Sequence, residues 1–263
     1  MADWRPLAGP LAARVAGSGP RIVFVHGFTQ TGRSMVTLAE HVVRHGYQAA
    51  VVDLPGHGES SHVRADLRRT ADLVAATTGP AIYVGYSLGG RVCLHLALMS
   101  PHMVHRLALI GATPGIVDDD ERAARRTADD RLAQHLLQVG LEQFIDEWIA
   151  QPLFAGLQLS PADREERLRN TAVGLAHSVR LSGTGSQLPL WDRLVELNMP
   201  VLALAGELDT KFVPIAERIA VSVPDGTFGQ IHGAGHAAHL QQPMQVVTRL
   251  DVWLRGSKLA LAT

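Results

Sequence analysis

"VGYSLGGR", residues 84–91, sets one serine between two glycines at the end of an apolar run. Gly85-Tyr86-Ser87-Leu88-Gly89 has the form G-x-S-x-G. That spacing suits a tight strand-to-helix turn, where the serine backbone is strained and small neighbours let the helix approach the strand. "AIYVG" (81–85) before it reads as a strand, and "LGGRVCLHLALM" (88–99) after it reads as a helix. Such a turn lifts the Ser87 hydroxyl into a cleft. It also aims the Leu88 N–H, at the helix start, towards any oxygen that develops negative charge nearby.

The flanking chain repeats the pattern. "RIVFVHG" (21–27), "YQAAVVDLPGHG" (47–58), "PAIYVGYS" (80–87), "RLALIGATPG" (106–115) and "PVLALAGELD" (200–209) each run from apolar residues into a Gly/Pro-rich loop. Continuous apolar runs, rather than alternation, predict strands covered on both faces and hence a parallel sheet. Helical patterns lie between them, at about 34–44, 67–77, 88–100, 215–223 and 243–254. This rhythm predicts an open α/β fold. It breaks between Pro114 and Pro200, where "DDDERAARRTADDRLAQHLLQ" opens a charged, helical stretch. Asp118 to Asp120 suit a helix N-terminus. The expected organisation is a core of residues 1–114 and 200–263, with 115–199 inserted as a helical lid. Ligands bind beyond the carboxyl ends of parallel strands, which is where such an insertion stands.

The serine has partners in chain order. Asp209 ends the strand-like "PVLALAGELD", and His236 follows the short strand-like "GTFGQI" in "HGAGHAAH". Ser…Asp…His is the order used on this kind of sheet. His236 would take the serine proton, and Asp209 would fix the imidazole tautomer and stabilise its cation. Asp53 also ends a strand but sits in a turn sequence, so it is the weaker acid candidate. His26-Gly27-Phe28 ends the first long apolar run. A backbone N–H from Phe28, or from its neighbour Thr29, would join Leu88 in a two-donor oxyanion hole. His26 itself reads as a loop brace.

Composition narrows the rest. The chain has 263 residues, 46% hydrophobic and 19% charged, with formal net charge −1. No basic surplus points to nucleic acid or to an anionic membrane surface. The one cysteine, Cys93, excludes an intramolecular disulfide and fits a reducing, cytoplasmic setting. It reads as core packing. No signal peptide and no membrane-spanning apolar run are seen, and "GSKLALAT" (256–263) reads as a frayed tail. His41 and His45 stand i, i+4 without an H-E-x-x-H pattern, so they read as a solvated helix face. No phosphate loop or dinucleotide fingerprint occurs. The expected chemistry needs neither metal nor cofactor.

"VHGFTQTGRSM" (25–35), "DLPGHGES" (53–60), "GYSLGGR" (85–91), "GELDTKF" (206–212) and "AGHAAH" (234–239) together resemble the α/β-hydrolases. "ATPGIVDDDERAARRTADDRLA" (112–133) and "FIDEWIAQPLF" (144–154) are similar, more closely, to synthases of 2-succinyl-6-hydroxy-2,4-cyclohexadiene-1-carboxylate in menaquinone biosynthesis. The fold does not demand these lid stretches, so they discriminate. The resemblance implies a lyase. It would eliminate pyruvate from 2-succinyl-5-enolpyruvyl-6-hydroxy-3-cyclohexene-1-carboxylate, with the triad acting as base.

A substrate with several carboxylates needs cations, and arginine grips a carboxylate through two parallel bonds. Arg91 lies one helical turn past Ser87, on the same helix face. By resemblance, Arg91, Arg125 and Arg169 bind the carboxylates, while Tyr86 and Trp148 line the pocket. Arg126 stays open as a replacement for Arg125, as do Arg164 and Arg167 for Arg169. Asp129 and Asp118 to Glu121 offer Arg125 plain ion pairs. The expected partner is therefore a small polyanionic substrate. Two other readings of the same triad are a carboxylesterase or carbon–carbon bond hydrolase, and, more distantly, a ligand receptor on a hydrolase fold.

Overall fold

The computed structural model describes residues 2–256. Eight strands form one sheet: β1 (Arg5–Leu7), β2 (Ala13–Gly17), β3 (Arg21–Val25), β4 (Gln48–Val52), β5 (Ala81–Tyr86), β6 (Val104–Ile110), β7 (Val201–Gly206) and β8 (Gly226–Ile231). The helices are α1 (Val36–Arg44), α2 (Leu67–Thr78), α3 (Leu88–Met99), α4 (Asp119–Val139), α5 (Leu141–Ile149), α6 (Pro161–Arg167), α7 (Ala172–Ser182), α8 (Phe212–Ser222), α9 (Ala238–Gln241) and α10 (Pro243–Gly256).

The strand order is β1-β2-β4-β3-β5-β6-β7-β8. The strands from β4 through β8 run parallel, whereas β2 joins β4 antiparallel and β1 pairs with β2. Every residue of β5 and β7 is buried, as expected for strands with helices on both faces. One apolar core packs α2, α3 and α8 on one face; a second packs α1 and α10 on the other. Helices α4 to α7 are inserted between β6 and β7 and have a core of their own around Leu136, Phe144, Ile145 and Leu175. This is the α/β-hydrolase architecture with a helical insert. Among the described residues, no helix is long and apolar enough to cross a membrane.

The sequence reading missed β1 and β2. They are short, and each breaks its apolar residues with an arginine or a glycine ("RPL", "ARVAG"), so no apolar run announces them. What specifies them is pairing: β2 lies along the whole of β4. Helix α8 begins at Phe212, about one turn earlier than predicted. The Asp209 carboxylate accepts the Phe212 N–H at 3.3 Å and caps that turn. The tail beyond residue 256 lies outside the described residues.

The glycines around Ser87 are dictated by contact. A Cβ on Gly89 would stand 2.2 Å from the Val25 carbonyl oxygen, and one on Gly85 would stand 2.6 Å from the Gly89 backbone. Helix α3 therefore rests directly on the ends of β3 and β5. Its side chains are almost all buried from Leu88 to Ala97, Cys93 among them, and burial pushes that thiol pKa up. Cys93 is packing rather than a second nucleophile.

Candidate active site

Ser87 occupies the turn between β5 and α3 with φ +50°, a conformation an L-residue adopts only under constraint. Its N–H donates to the Ile110 carbonyl at 2.9 Å, which ties the turn to the end of β6. Leu88 opens α3, so its N–H has no intrahelical partner. His236 Nε2 lies 3.2 Å from Ser87 Oγ, and His236 Nδ1 lies 2.7 Å from Asp209 Oδ2. Asp209 and His236 are both buried. The two Asp209 oxygens divide their work, Oδ2 holding the imidazole and Oδ1 capping α8. The structure thus brings Ser87, Asp209 and His236, three residues far apart in sequence, into one hydrogen-bonded row.

The loop after β3 forms a turn closed by Gln30 N–H to the Gly27 carbonyl at 3.2 Å. Thr29, at its third position, has φ +66°, as a type II turn requires. Phe28 faces the cavity beside Ser87, whereas Thr29 is fully buried and bound by the lid. His26 acts as the brace: its Nε2 accepts the Leu54 N–H at 3.0 Å, and Nδ1 lies 2.8 Å from the Gly27 carbonyl oxygen. Asp53 accepts the Gly32 and Glu59 amides at 2.7 and 2.9 Å, so it holds loops and not His236.

Burial holds the pKa of His26 down at about 4 and that of His57, which also feels His26, at about 3. Both are neutral in the folded protein at pH 7, and in the unfolded chain they protonate near 6.5. The unfolded state binds more protons below that value, so acid removes stability. Unfolding free energy should fall by about 1.4 kcal/mol per pH unit for each histidine as pH drops from 6.5 towards 4. Denaturant melts across that window check this, and His57→Gln should flatten the slope.

Ser87 opens on a cavity of about 550 Å³. Its floor is Tyr86, Ser87, Leu88, Arg91 and His236, and the insert supplies Arg125, Trp148 and Phe154. Arg91 is 7% exposed, and its single side-chain hydrogen bond runs to Gln187 Oε1 at 3.3 Å. No carboxylate lies within 4.0 Å of it among the described residues. Burial, with a contribution from Arg125, lowers its pKa to about 10, still charged at pH 7. Tyr86 packs against His236 with ring centroids 5.4 Å apart. Trp148 stands edge-on to Phe28 at 5.1 Å, and its indole N–H is buried without a protein acceptor.

The lid arginines separate. Arg125 reaches the cavity, but its Nε is paired with buried Asp129 at 2.7 Å. Arg126 is exposed and does not line the cavity. Arg169 does not reach it either: its side chain is 51% exposed, stands 3.8 Å from Glu166 and borders a separate hollow with Arg14 and Arg33. The expectation for Arg169 is corrected. Helix α6 ends at Arg167, and the turn that follows sends residue 169 outwards. Arg164 pairs with Asp146 and Glu142 on the surface. Arg167 turns inwards, is 3% exposed and donates to Thr29 Oγ1 beside Phe28.

Two cavity cations went unread in the sequence, Lys211 and Arg218 on α8. Lys211 stands two residues past Asp209, which was a usable signal. Arg218 lies seven residues further, and only the helix register brings it to the same face. His41 and His45 do not form a plain solvated face. Their rings stack at 4.3 Å, and His41 Nε2 meets Asp251 Oδ2 at 2.8 Å, joining α1 to α10.

Residues 22–250 match the model of the alpha/beta hydrolase family, and the chain belongs to that family. It is 34% identical over 244 residues to the 2-succinyl-6-hydroxy-2,4-cyclohexadiene-1-carboxylate synthase of Salmonella agona (strain SL483), covering 90% of this chain and 94% of that one. A Bacillus subtilis (strain 168) protein provisionally given the same name is 34% identical over 247 residues, covering 87% and 89%. Among solved structures, MenH from S. aureus superposes with a TM-score of 0.87 at 30% identity, covering 93% of this chain and 98% of that one.

Proposed function

We propose that this chain is a carbon–oxygen lyase that eliminates pyruvate from 2-succinyl-5-enolpyruvyl-6-hydroxy-3-cyclohexene-1-carboxylate, giving 2-succinyl-6-hydroxy-2,4-cyclohexadiene-1-carboxylate for menaquinone synthesis. One observation carries the reading. A buried arginine without a carboxylate partner, Arg91, stands in the Ser87 cavity. A buried cation left unpaired is costly, and a carboxylate ligand removes that cost. A neutral ester gives it no partner.

In this reading His236 keeps Ser87 Oγ able to accept the ring proton beside the succinyl ketone. The electrons of the broken C–H bond move to the ketone oxygen, and the Phe28 and Leu88 amides stabilise that enolate. The enolate collapses, the ring carbon–oxygen bond breaks, and pyruvate departs as its enolate, which is then protonated. The residues drawn in need neither metal nor cofactor. Arg91 and Arg125 would hold carboxylates, with Tyr86 and Trp148 shaping the wall. A reducing cytoplasm suits the free Cys93.

The test is side-by-side turnover of the enolpyruvyl cyclohexene precursor, generated in situ, and a short-chain nitrophenyl ester. Wild type should release pyruvate and build diene absorbance quickly while cleaving the ester feebly. Ser87→Ala should lose about 10³-fold or more of the elimination. Good ester cleavage with no elimination above background would replace the lyase by a serine hydrolase. The strained elbow at Ser87 supports that second reading as well, because it fits attack on a carbonyl equally well.

A further inference from the structure

We propose that α8 carries a second carboxylate subsite at the cavity mouth, formed by Lys211 and Arg218. It takes the outer carboxylate of a ligand whose inner carboxylate sits at Arg91. The inference rests on the polyanionic-substrate reading and deepens it. The ligand class is a molecule with two separated carboxylates, one for the floor and one for the mouth.

Lys211, Ile215 and Arg218 all line the cavity, and their spacing of four and three residues sets them on one helix face. Arg91 is buried on the floor, whereas Lys211 and Arg218 are exposed, so the cations mark two depths. The mouth pair is not spent on ion pairs. Arg122, Arg164 and Arg193 all have carboxylates within 4.0 Å. Neither Lys211 nor Arg218 has one among the described residues.

Both cations are placed in ways that helix stability does not explain. Lys211 stands at the start of α8, where the helix dipole disfavours a positive charge, and the one carboxylate there, Asp209, is already engaged by His236 and the Phe212 N–H. The Arg218 guanidinium lies 3.9 Å from the Trp191 ring centroid. Trp191 is itself fixed, its indole N–H donating to the Gly115 carbonyl at 3.0 Å. The stack leaves the guanidinium edge free and removes much of the rotamer freedom that a ligand would otherwise have to freeze. Asp118 and Glu121, on the lid helix α4, also border the cavity. They repel a carboxylate, so the mouth is polarised and an outer carboxylate is directed to α8.

The test uses Lys211→Gln, Arg218→Gln and the double variant in the full chain. Arg218→Lys serves as a control that keeps the charge if the glutamine loosens the Trp191 contact. With the polyanionic precursor, each single glutamine should raise KM about 3- to 5-fold and the double about 10- to 20-fold, while kcat falls less than twofold. The salt dependence of kcat/KM should flatten in the double variant. Calorimetry with α,ω-dicarboxylates of graded length, against monocarboxylates of matching length, reads the same site without turnover. In wild type one dicarboxylate length should bind more tightly than its monocarboxylate, and the double variant should lose that preference. An unchanged KM in the double variant, or dicarboxylates that bind no better than monocarboxylates, overturns the subsite. A wild type that eliminates nothing overturns the lyase reading instead, and the dicarboxylate preference still decides on the subsite.

Discussion

Arg91→Met should lose about 100- to 1,000-fold in kcat/KM on the polyanionic precursor while keeping nitrophenyl ester cleavage within about threefold. The same variant should be more stable than wild type, by about 1–3 kcal/mol in denaturant melts. The two effects share one cause. Arg91 is buried, its protein partner is the neutral Gln187, and burial has moved its pKa from 12.5 to about 10. Folding therefore carries into the floor of the cavity a charge that has no carboxylate in direct contact and only the field of Asp129, itself paired with Arg125, to offset it. Methionine keeps the length and apolar stem of the side chain and removes that charge. What stability gains, binding loses, because the carboxylate that should neutralise Arg91 finds no cation. Equal losses on both substrates would make Arg91 a structural residue and remove the clamp. A variant less stable than wild type would show that the Gln187 bond outweighs the burial cost.

Lid position matters to the same chemistry. Asn170, between α6 and α7, donates to the Thr29 carbonyl at 2.9 Å and accepts the Gly58 amide at 2.9 Å. Arg167 adds its bond to Thr29 Oγ1. The insert is therefore fastened to the loop that carries Phe28, so a shift of the insert would be passed to the amide proposed as an oxyanion donor. That fastening gives a reason for the strained φ at Thr29, which the surrounding contacts hold in place.

How far the sequence could be read differs from part to part. The central strands were legible because burial on both faces leaves a continuous apolar run, and the glycines flanking Ser87 mark a contact that no Cβ could survive. Ser87 and Asp209 were legible for a related reason, since each follows such a run; His236 follows the shorter, half-exposed β8 and was legible from its place in chain order after them. β1 and β2 were not, because both are short and interrupted by charged or glycine residues, so their pairing, β1 with β2 and β2 with β4, marks them better than any apolar run. The lid arginines failed in a graded way. Arg125 lies within a long helix and its register is fixed, whereas Arg169 follows a helix end, where a two-residue difference reverses which side chain turns inwards. Arg218 was invisible because nothing in its local sequence marks the face it shares with Lys211. It becomes visible only once α8 is laid along the cavity.

Asp209→Asn should reduce elimination by about 10³- to 10⁴-fold and leave the fold intact. The carboxylate holds His236 Nδ1–H at 2.7 Å, so Nε2 is left free to accept the Ser87 proton 3.2 Å away. An amide presents its N–H₂ to Nδ1 or turns away. In either case the tautomer that exposes a basic Nε2 loses its support, and the imidazolium formed during proton abstraction has no counter-charge. The oxygen of the asparagine can still accept the Phe212 N–H that caps α8, which separates the chemical role from the structural one. Asp209→Ala removes both, and should add a stability loss of about 1 kcal/mol to a similar activity loss. The measurement is pyruvate release for the two variants beside their urea midpoints. If Asp209→Asn stays within tenfold of wild type, the imidazole is oriented by its packing against Phe212, 4.5 Å away, and Tyr86, and not by the carboxylate. If the loss is as large as expected while the midpoint holds, the charge at Asp209 is what makes Ser87 and His236 a base.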